Sequence, residues 1–130
     1  MKEADLPPLT EEQLDVMRRF ALLEISMDEM RRSLAGVFEV NFAPKEEAGG
    51  VVTQRRTAHN RFQIPEPGIV VTREHISTAL ERKRFGLITE RDLAQWATIL
   101  LLNDAYVFDP GDEDLIAEWL NDLSLHLDAS

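Results

Sequence analysis

The sequence predicts a mainly α protein of about five helices in one domain, with a small β-hairpin or meander in the middle, at residues 37–64. Its length of 130 residues fits one domain with a substantial core. Hydrophobic residues make up 44% and charged residues 29%, as in ordinary globular proteins. Helix-capping residues precede five stretches with helical spacing of apolar residues, whereas the middle of the chain alternates apolar with polar residues.

Each predicted helix follows a residue whose side chain favours the N-cap position. These caps are Thr10, Ser26, Thr72, Thr89 and Asp112. At three of them a residue three positions later completes a capping box, and these partners are Gln13, Glu29 and Asp92. The helices are predicted over residues 11–23, 27–34, 73–84 and 90–103, and from residue 113 onward. Gly36 and Gly86 are the expected stops of the second and third helices.

The segment between the second and third helices has the features of short strands. Apolar and polar residues alternate over residues 38–42, the pattern of a half-buried strand. Residues 51–53 and 62–64 are predicted as two further strands joined by a turn at 58–60, and residues 44–50 as a loop. The sequence therefore predicts a hairpin or meander between two helical parts.

One domain over residues 1–130 is predicted, in four consecutive parts. These are an extended arm at 1–9, two helices at 10–35, a loop and strand segment at 36–68 and a three-helix portion at 69–130. The arm is expected to be extended because Pro7 and Pro8 fix their backbone angles.

Apolar stripes indicate which side chains of the last three helices face the core. The inward residues of the third helix are predicted to be Ile76, Ala79 and Leu80. Trp96 and Trp119 lie on the stripes of the last two helices, which predicts that both pack in the core. The alternative is that the two indoles belong to a helical dimer interface, since aromatic residues anchor such patches.

Negative charge is concentrated at the C-terminal end. The chain has a formal net charge of -10, and its last 27 residues, 104–130, contain eight acidic residues and no Lys or Arg. The preceding 103 residues are nearly balanced, with 16 acidic and 14 basic residues. The first acids of the last helix suit its start, where the dipole favours negative charge. The predicted partner-binding residues are Glu113, Asp114, Glu118 and Asp122.

Composition disfavours several protein classes. Without cysteine the chain has no disulfide, thiolate metal site or Cys nucleophile, and it suits a reducing compartment. The N-terminus has no apolar h-region, and the longest apolar run is far shorter than a membrane span. A cytoplasmic protein with no membrane contact is therefore expected.

Neither a metal site nor a cofactor site is predicted. His59, His75 and His126 have no spacing that makes a helical metal pair, and each is expected at the surface or its boundary. The acidic turn at 109–114 lacks the alternating ligands and the glycine of a calcium-binding EF-hand loop. The chain has no nucleophile-elbow or phosphate-loop sequence, so no catalytic residue is named and a non-enzymatic role is expected.

Two features bear on nucleic-acid binding. The third and fourth helices have helix-turn-helix spacing, but Glu90 and Asp92 would then face phosphate, which disfavours nucleic acid as a partner. The central segment also contains a basic cluster of Arg55, Arg56 and Arg61. That cluster is open to two interpretations, a binding patch or a set of partners for acidic groups of the same chain.

The C-terminal part resembles a known group of proteins. The residues that carry the likeness are Thr72-Arg73-Glu74-His75-Ile76, Ala79-Leu80, Gly86-Leu87-Ile88-Thr89, Asp92-Leu93, Trp96-Ala97 and Leu100. They resemble a pattern in small acidic bacterial helical proteins, many of them uncharacterised and some similar to immunity proteins that neutralise a toxin. The resemblance covers residues 70–125, implies a helical fold and brings no catalytic or binding residue with it.

The sequence as a whole favours a bacterial-type protein that acts by protein–protein binding. Its expected role is immunity- or antitoxin-like. Its acidic last helix would face a basic partner protein, because complementary charge speeds association and improves specificity. One alternative is a homodimeric structural or regulatory subunit, joined through the last two helices. A second alternative is a small enzyme without a recognisable motif, since catalytic residues need not be close in sequence.

Overall fold

Five helices dominate the described part of the chain. The computed structural model describes residues 6–41, 44–46, 52–54 and 57–125. The helices are α1 (Glu11–Ala21), α2 (Met27–Ser33), α3 (Arg73–Arg84), α4 (Glu90–Leu102) and α5 (Glu113–Ser124). The strands are β1 (Phe38–Asn41), β2 (Pro44–Glu46), β3 (Val52–Gln54), β4 (Thr57–Asn60), β5 (Ile69–Val71) and β6 (Tyr106–Phe108). The mainly α class is confirmed, and the predicted helix bounds hold to within two residues.

Three of the predicted caps are confirmed by hydrogen bonds. Thr10 Oγ1 accepts the Gln13 N–H at 3.1 Å, and Gln13 Oε1 accepts the Thr10 N–H at 2.9 Å. Thr89 and Asp92 exchange the same two bonds at 3.0 and 2.9 Å. Ser26 Oγ accepts a backbone N–H at 3.1 Å at the start of α2. These bonds satisfy donors that the first turn of a helix otherwise leaves without an intrahelical partner.

The prediction that Asp112 caps α5 with its side chain is wrong. The Asp112 side chain makes no capping hydrogen bond. Its Oδ2 instead lies 3.1 Å from Nε of Arg73, the first residue of α3. Asp112 is the N-cap residue by position, and its carboxylate is turned towards α3 instead of towards the first turn of α5.

The middle segment forms strands, but their pairing differs from the prediction. Strand β1 pairs antiparallel with β4, and Phe38 lies opposite Asn60. Strand β2 pairs antiparallel with β3. The predicted turn at 58–60 is therefore strand, and residues 44–46 of the predicted loop are strand as well. Cross-strand pairing has overridden the local turn preference of these residues.

Residues 62–64, predicted as a strand, contribute one isolated bridge. Gln63 forms a parallel bridge with Pro8, and its N–H donates to the Pro7 carbonyl at 2.8 Å. Phe62 is buried in the core, which anchors the segment by packing instead of by a ladder of hydrogen bonds. Other predicted features lie outside the described residues: Phe42, Gly49, Gly50, Val51, Arg55 and Arg56.

The pairing that places the C-terminal helices was not predicted from sequence. Strands β5 and β6 are parallel, with Ile69 opposite Tyr106 and Val71 opposite Phe108. Gly68 precedes β5, where a Cβ atom would lie 2.9 Å from the Ala105 carbonyl oxygen. Only glycine allows the two backbones to approach this closely.

Helix α4 lies at the centre of the core, buried on most of its sides. Its Trp96 is fully buried, as predicted, and its indole Nε1 donates to the Ala21 carbonyl at 3.2 Å. The Tyr106 hydroxyl donates to the Met17 carbonyl at 2.6 Å, and burial raises the pKa of Tyr106, so the group remains a donor. These two bonds tie α1 to the C-terminal half of the chain.

The buried hydroxyl of Tyr106 is expected to stabilise the fold measurably. Tyr106→Phe removes the donor and leaves the Met17 carbonyl with one partner fewer in a buried position. We expect the free energy of unfolding to fall by about 1 to 2 kcal/mol, measured by urea denaturation. Ser33→Ala, which changes an exposed hydroxyl, should stay within about 0.5 kcal/mol of the wild type. Equal stability of the two variants would contradict the role assigned to Tyr106.

Candidate partner-binding groove

The four predicted partner-binding acids all lie exposed on α5. Asp114, Glu118 and Asp122 are four residues apart, so they form one line along the helix. Glu113 lies about 100° away around the helix axis, in the first turn. The structure therefore brings three of the predicted residues together, and we call Asp114, Glu118 and Asp122 the acidic row.

The acidic row opposes the stability of its own helix. Like charges four residues apart on a helix repel, at a cost of about 0.2 to 0.5 kcal/mol per pair. Asp122 also lies near the C-terminal end of α5, where the helix dipole disfavours negative charge, and the last turn contains no basic residue. Among the described residues, no Lys or Arg forms an ion pair with any member of the row. Local structure explains Glu113 and Asp114 at the helix start but leaves Glu118 and Asp122 unexplained.

Helices α3 and α5 pack against each other. Each follows one strand of the parallel β5–β6 pair. The 3.1 Å ion pair of Arg73 with Asp112 joins their starts. Ile76 and Ala79 of α3, and Ile116 and Leu120 of α5, turn towards the core and are buried. Within the described residues, no further element covers the outer surfaces of the two helices, where Leu80 and Trp119 are exposed.

An apolar groove follows the line between α3 and α5. It has a volume of about 210 Å³ and is lined by Ile76, Ser77, Leu80, Trp119, Asp122 and Leu123. Leu80 is 45% exposed and Trp119 is 36% exposed. The predictions that Leu80 faces inward and that Trp119 packs in the core are wrong, because none of the described N-terminal elements lines this groove.

The groove suits a side chain better than a free small molecule. Its volume lies below the range of about 300 to 1,000 Å³ that is usual for small-molecule pockets. Asp122 lines one side, and Glu118 of the acidic row precedes Trp119 in sequence. The arrangement offers an apolar contact for one or two side chains, with the Asp122 carboxylate at its border for a neighbouring cation.

His75 has a structural role at the start of α3 that the sequence analysis missed. Its Nδ1 accepts the Thr72 N–H at 3.0 Å and lies 3.1 Å from Thr72 Oγ1. The residue thus takes the third helical position of a capping box, where Glu or Gln is usual. The position of His75, three residues after Thr72, was the signal in the sequence that could have indicated this role. Burial lowers the pKa of His75, and the opposing effect of the Glu74 charge is smaller.

The remaining predicted features do not assemble into a second site in the described residues. Arg61 is exposed, and its Nη2 lies 4.0 Å from Glu39 Oε2, which favours the interpretation that this basic residue balances the same chain's acids. The described residues contain no group of three His, Cys, Asp or Glu side chains able to hold a metal ion. His126 and Asp128 lie outside the described residues, as does the side chain of His59.

A second cavity, between α1, α2 and the start of α4, has a volume of about 290 Å³. Its two carboxylates, Glu24 and Asp92, are exposed. Asp92 accepts the Thr89 N–H as a helix cap, and Glu24 lies 3.7 Å from Arg19. Both acids therefore have structural partners.

Comparison of the chain with protein-family models, with curated proteins and with solved structures found no significant match. The resemblance to small acidic bacterial helical proteins accordingly stays a prediction. In the described part of the chain, no helix combines the length and the apolar character that crossing a bilayer requires.

The capping role of His75 predicts a pH-dependent stability. Nδ1 can accept the Thr72 N–H only when the ring is neutral there, and the pKa of His75 is lowered below its ordinary 6.5 in the folded protein. The unfolded chain then binds the proton more readily, so this contribution is complete above about pH 6.5 and is lost as the pH falls. His75→Gln keeps an acceptor at the same position without a titrating ring.

Urea denaturation between about pH 7.5 and pH 5 checks this expectation. The wild type should lose more free energy of unfolding across that interval than His75→Gln does. All other titrating groups are common to the two proteins, so the difference reports on His75. Identical pH profiles would show that the ring does not act as a neutral acceptor.

Proposed function

We propose that the protein acts by binding a partner protein through the α3–α5 groove and the acidic row beside it. The partner presents an apolar side chain surrounded by Lys or Arg, and the role is that of an immunity- or antitoxin-like protein. The observation that carries this proposal is the position of Glu118 and Asp122. These carboxylates weaken their own helix, and Asp122 lines the groove together with exposed Leu80 and Trp119.

The two components of the groove would contribute to binding in different ways. Trp and Leu side chains that become buried in a contact exclude water, and Trp is among the residues that most often dominate interface energies. Exposed carboxylates add little affinity but raise the rate of encounter with a cationic surface and disfavour acidic competitors. The combination suits fast, selective capture of a basic protein.

The immunity-like form of the proposal derives from the resemblance of residues 70–125 to small acidic bacterial proteins. In that form the partner is a toxin whose basic surface is covered by the acidic row. The high negative charge of the C-terminal segment, eight acids without a base, is the property of this chain that supports it. The same charge disfavours nucleic acid as the ligand, because phosphate groups would be repelled.

Reversal of the four acids should slow partner capture. Random peptides displayed on phage and selected on the immobilised wild-type protein should be enriched in Lys or Arg next to Trp, Phe or Leu. With the selected peptides, the variant Glu113→Lys, Asp114→Lys, Glu118→Lys and Asp122→Lys should associate about tenfold or more slowly at low salt. The difference should shrink as salt is raised, since exposed charges are screened. Surface plasmon resonance measures both rates.

A matched variant separates the acidic row from net charge. It reverses Glu11, Glu12, Asp15 and Asp28, which are also exposed and include first-turn helix positions. Its change in net charge is the same, but none of the four residues lines the groove. This variant should therefore capture the peptides nearly as fast as the wild type. Selected peptides without basic residues, or equal slowing in the two variants, would overturn the proposal.

Trp119 should affect the lifetime of the complex more than its formation. Trp119→Ala removes the largest apolar side chain of the groove, and peptides should dissociate about tenfold to thirtyfold faster, with little change in association rate. Ile64→Ala serves as the control, because Ile64 is exposed but does not line the groove. Unchanged dissociation from Trp119→Ala would place the peptide site elsewhere.

A further inference from the structure

A second unusual surface lies at the turn between α3 and α4, which we call the basic turn (Arg82–Leu87). Phe85 is 68% exposed and Leu87 is 66% exposed, the two highest values among the described large hydrophobic residues. Arg82, Lys83 and Arg84 directly precede them. Exposed apolar side chains grouped beside polar residues mark interaction surfaces more often than isolated ones do.

The basic turn is held in one conformation by its own backbone. The Phe85 N–H donates to the Glu81 carbonyl at 3.0 Å, and the Leu87 N–H donates to the Arg82 carbonyl at 2.9 Å. Gly86 has φ +74°, which an L side chain would adopt only with strain. The exposed side chains therefore project from a fixed turn, and docking it elsewhere would cost little conformational entropy.

The basic turn matches the groove in charge and in apolar character. The groove offers Leu80 and Trp119 with the Asp122 carboxylate, beside the rest of the acidic row, and the turn offers Phe85 and Leu87 with cations. Glu90 lies 3.9 Å from Lys83 and offsets part of the positive charge, so Arg84 is the stronger candidate for contact with carboxylates. The two surfaces therefore have the complementary composition that favours a protein contact.

The turn cannot enter the groove of its own molecule. Phe85 follows α3 directly, five positions after Leu80, and a helix advances about 100° per residue, so the two side chains leave α3 about 140° apart. We propose that the basic turn of a second copy of this chain docks into the α3–α5 groove. Because the two surfaces differ, the contact is head to tail and leads to rings or short open chains.

This assembly uses the groove described above and does not depend on the existence of a heterologous partner. A copy docked in the groove would cover Trp119 and the acidic row, so self-association and partner capture exclude one another. The net charge of -10 makes copies repel at low salt. At about 0.15 M salt the screening length is about 8 Å, and the charges in direct contact then decide the outcome.

Sedimentation velocity and light scattering on the purified full chain test the assembly. From about 1 µM to about 1 mM protein at about 0.15 M salt, the wild-type average mass should rise above the 14.8 kDa of one chain. Two variants remove the contact from opposite sides: Lys83→Glu with Arg84→Glu, and Glu118→Lys with Asp122→Lys. Each variant alone should keep the mass of a monomer over the same range.

Mixing the two variants gives the decisive result. Groove and turn repel within each variant, but the reversed turn of one complements the reversed groove of the other, so an equimolar mixture should associate again. Restored association also shows that both variants are folded. As matched controls, Arg18→Glu with Arg19→Glu and Glu11→Lys with Glu12→Lys change exposed charges of α1 and should associate like the wild type.

Three outcomes would overturn the assembly. These are a wild-type protein that stays monomeric up to about 1 mM, association that persists in the two variants, and a mixture that remains monomeric. None of them bears on the peptide measurements, which use immobilised protein and a cationic peptide. Failure of self-association is thereby distinguishable from failure of the proposed partner binding.

Discussion

The parallel pairing of β5 with β6 is the constraint on which the C-terminal half depends. Because the strands run in the same direction, the helices that follow them lie side by side, and the pair of Arg73 with Asp112 joins their starts. The buried sides of α3 and α5 complete the core around α4. The groove is a consequence of this geometry, since two neighbouring helices, uncovered by any other described element, leave Leu80 and Trp119 between them at the surface.

Local chemistry made the helices predictable. Thr10 with Gln13, and Thr89 with Asp92, form the capping boxes that their spacing predicts, because a cap depends only on residues three positions apart. The exposure of the acidic row also followed from the apolar stripe of α5, which leaves the opposite side to solvent. Predictions that needed only a helical period or a short spacing therefore succeeded.

Features that depend on distant partners could not be predicted in the same way. Strand β6 has three residues and pairs with a strand more than thirty residues earlier, and no local pattern specifies that pairing. Asp112 is a residue type that favours caps, but the fold brings Arg73 within reach, and its carboxylate lies beside that guanidinium. An apolar stripe likewise shows that Trp119 lies on the apolar side of α5, but it does not show whether the fold buries that side. The sequence thus did not predict the groove, although it identified the carboxylates beside it.

The acidic row and the basic turn both depart from what stability alone would select. Carboxylates four residues apart repel each other on α5, and Phe85 and Leu87 face water on a turn that is otherwise well hydrogen-bonded. Such local conflicts are expected where a surface serves binding. If the groove accepts both a copy of the chain and a basic partner, mass action couples the two, because each bound copy lowers the concentration of open grooves. A partner must then bind more tightly than the basic turn to displace it, and a weak self-contact would make the protein selective for high-affinity partners.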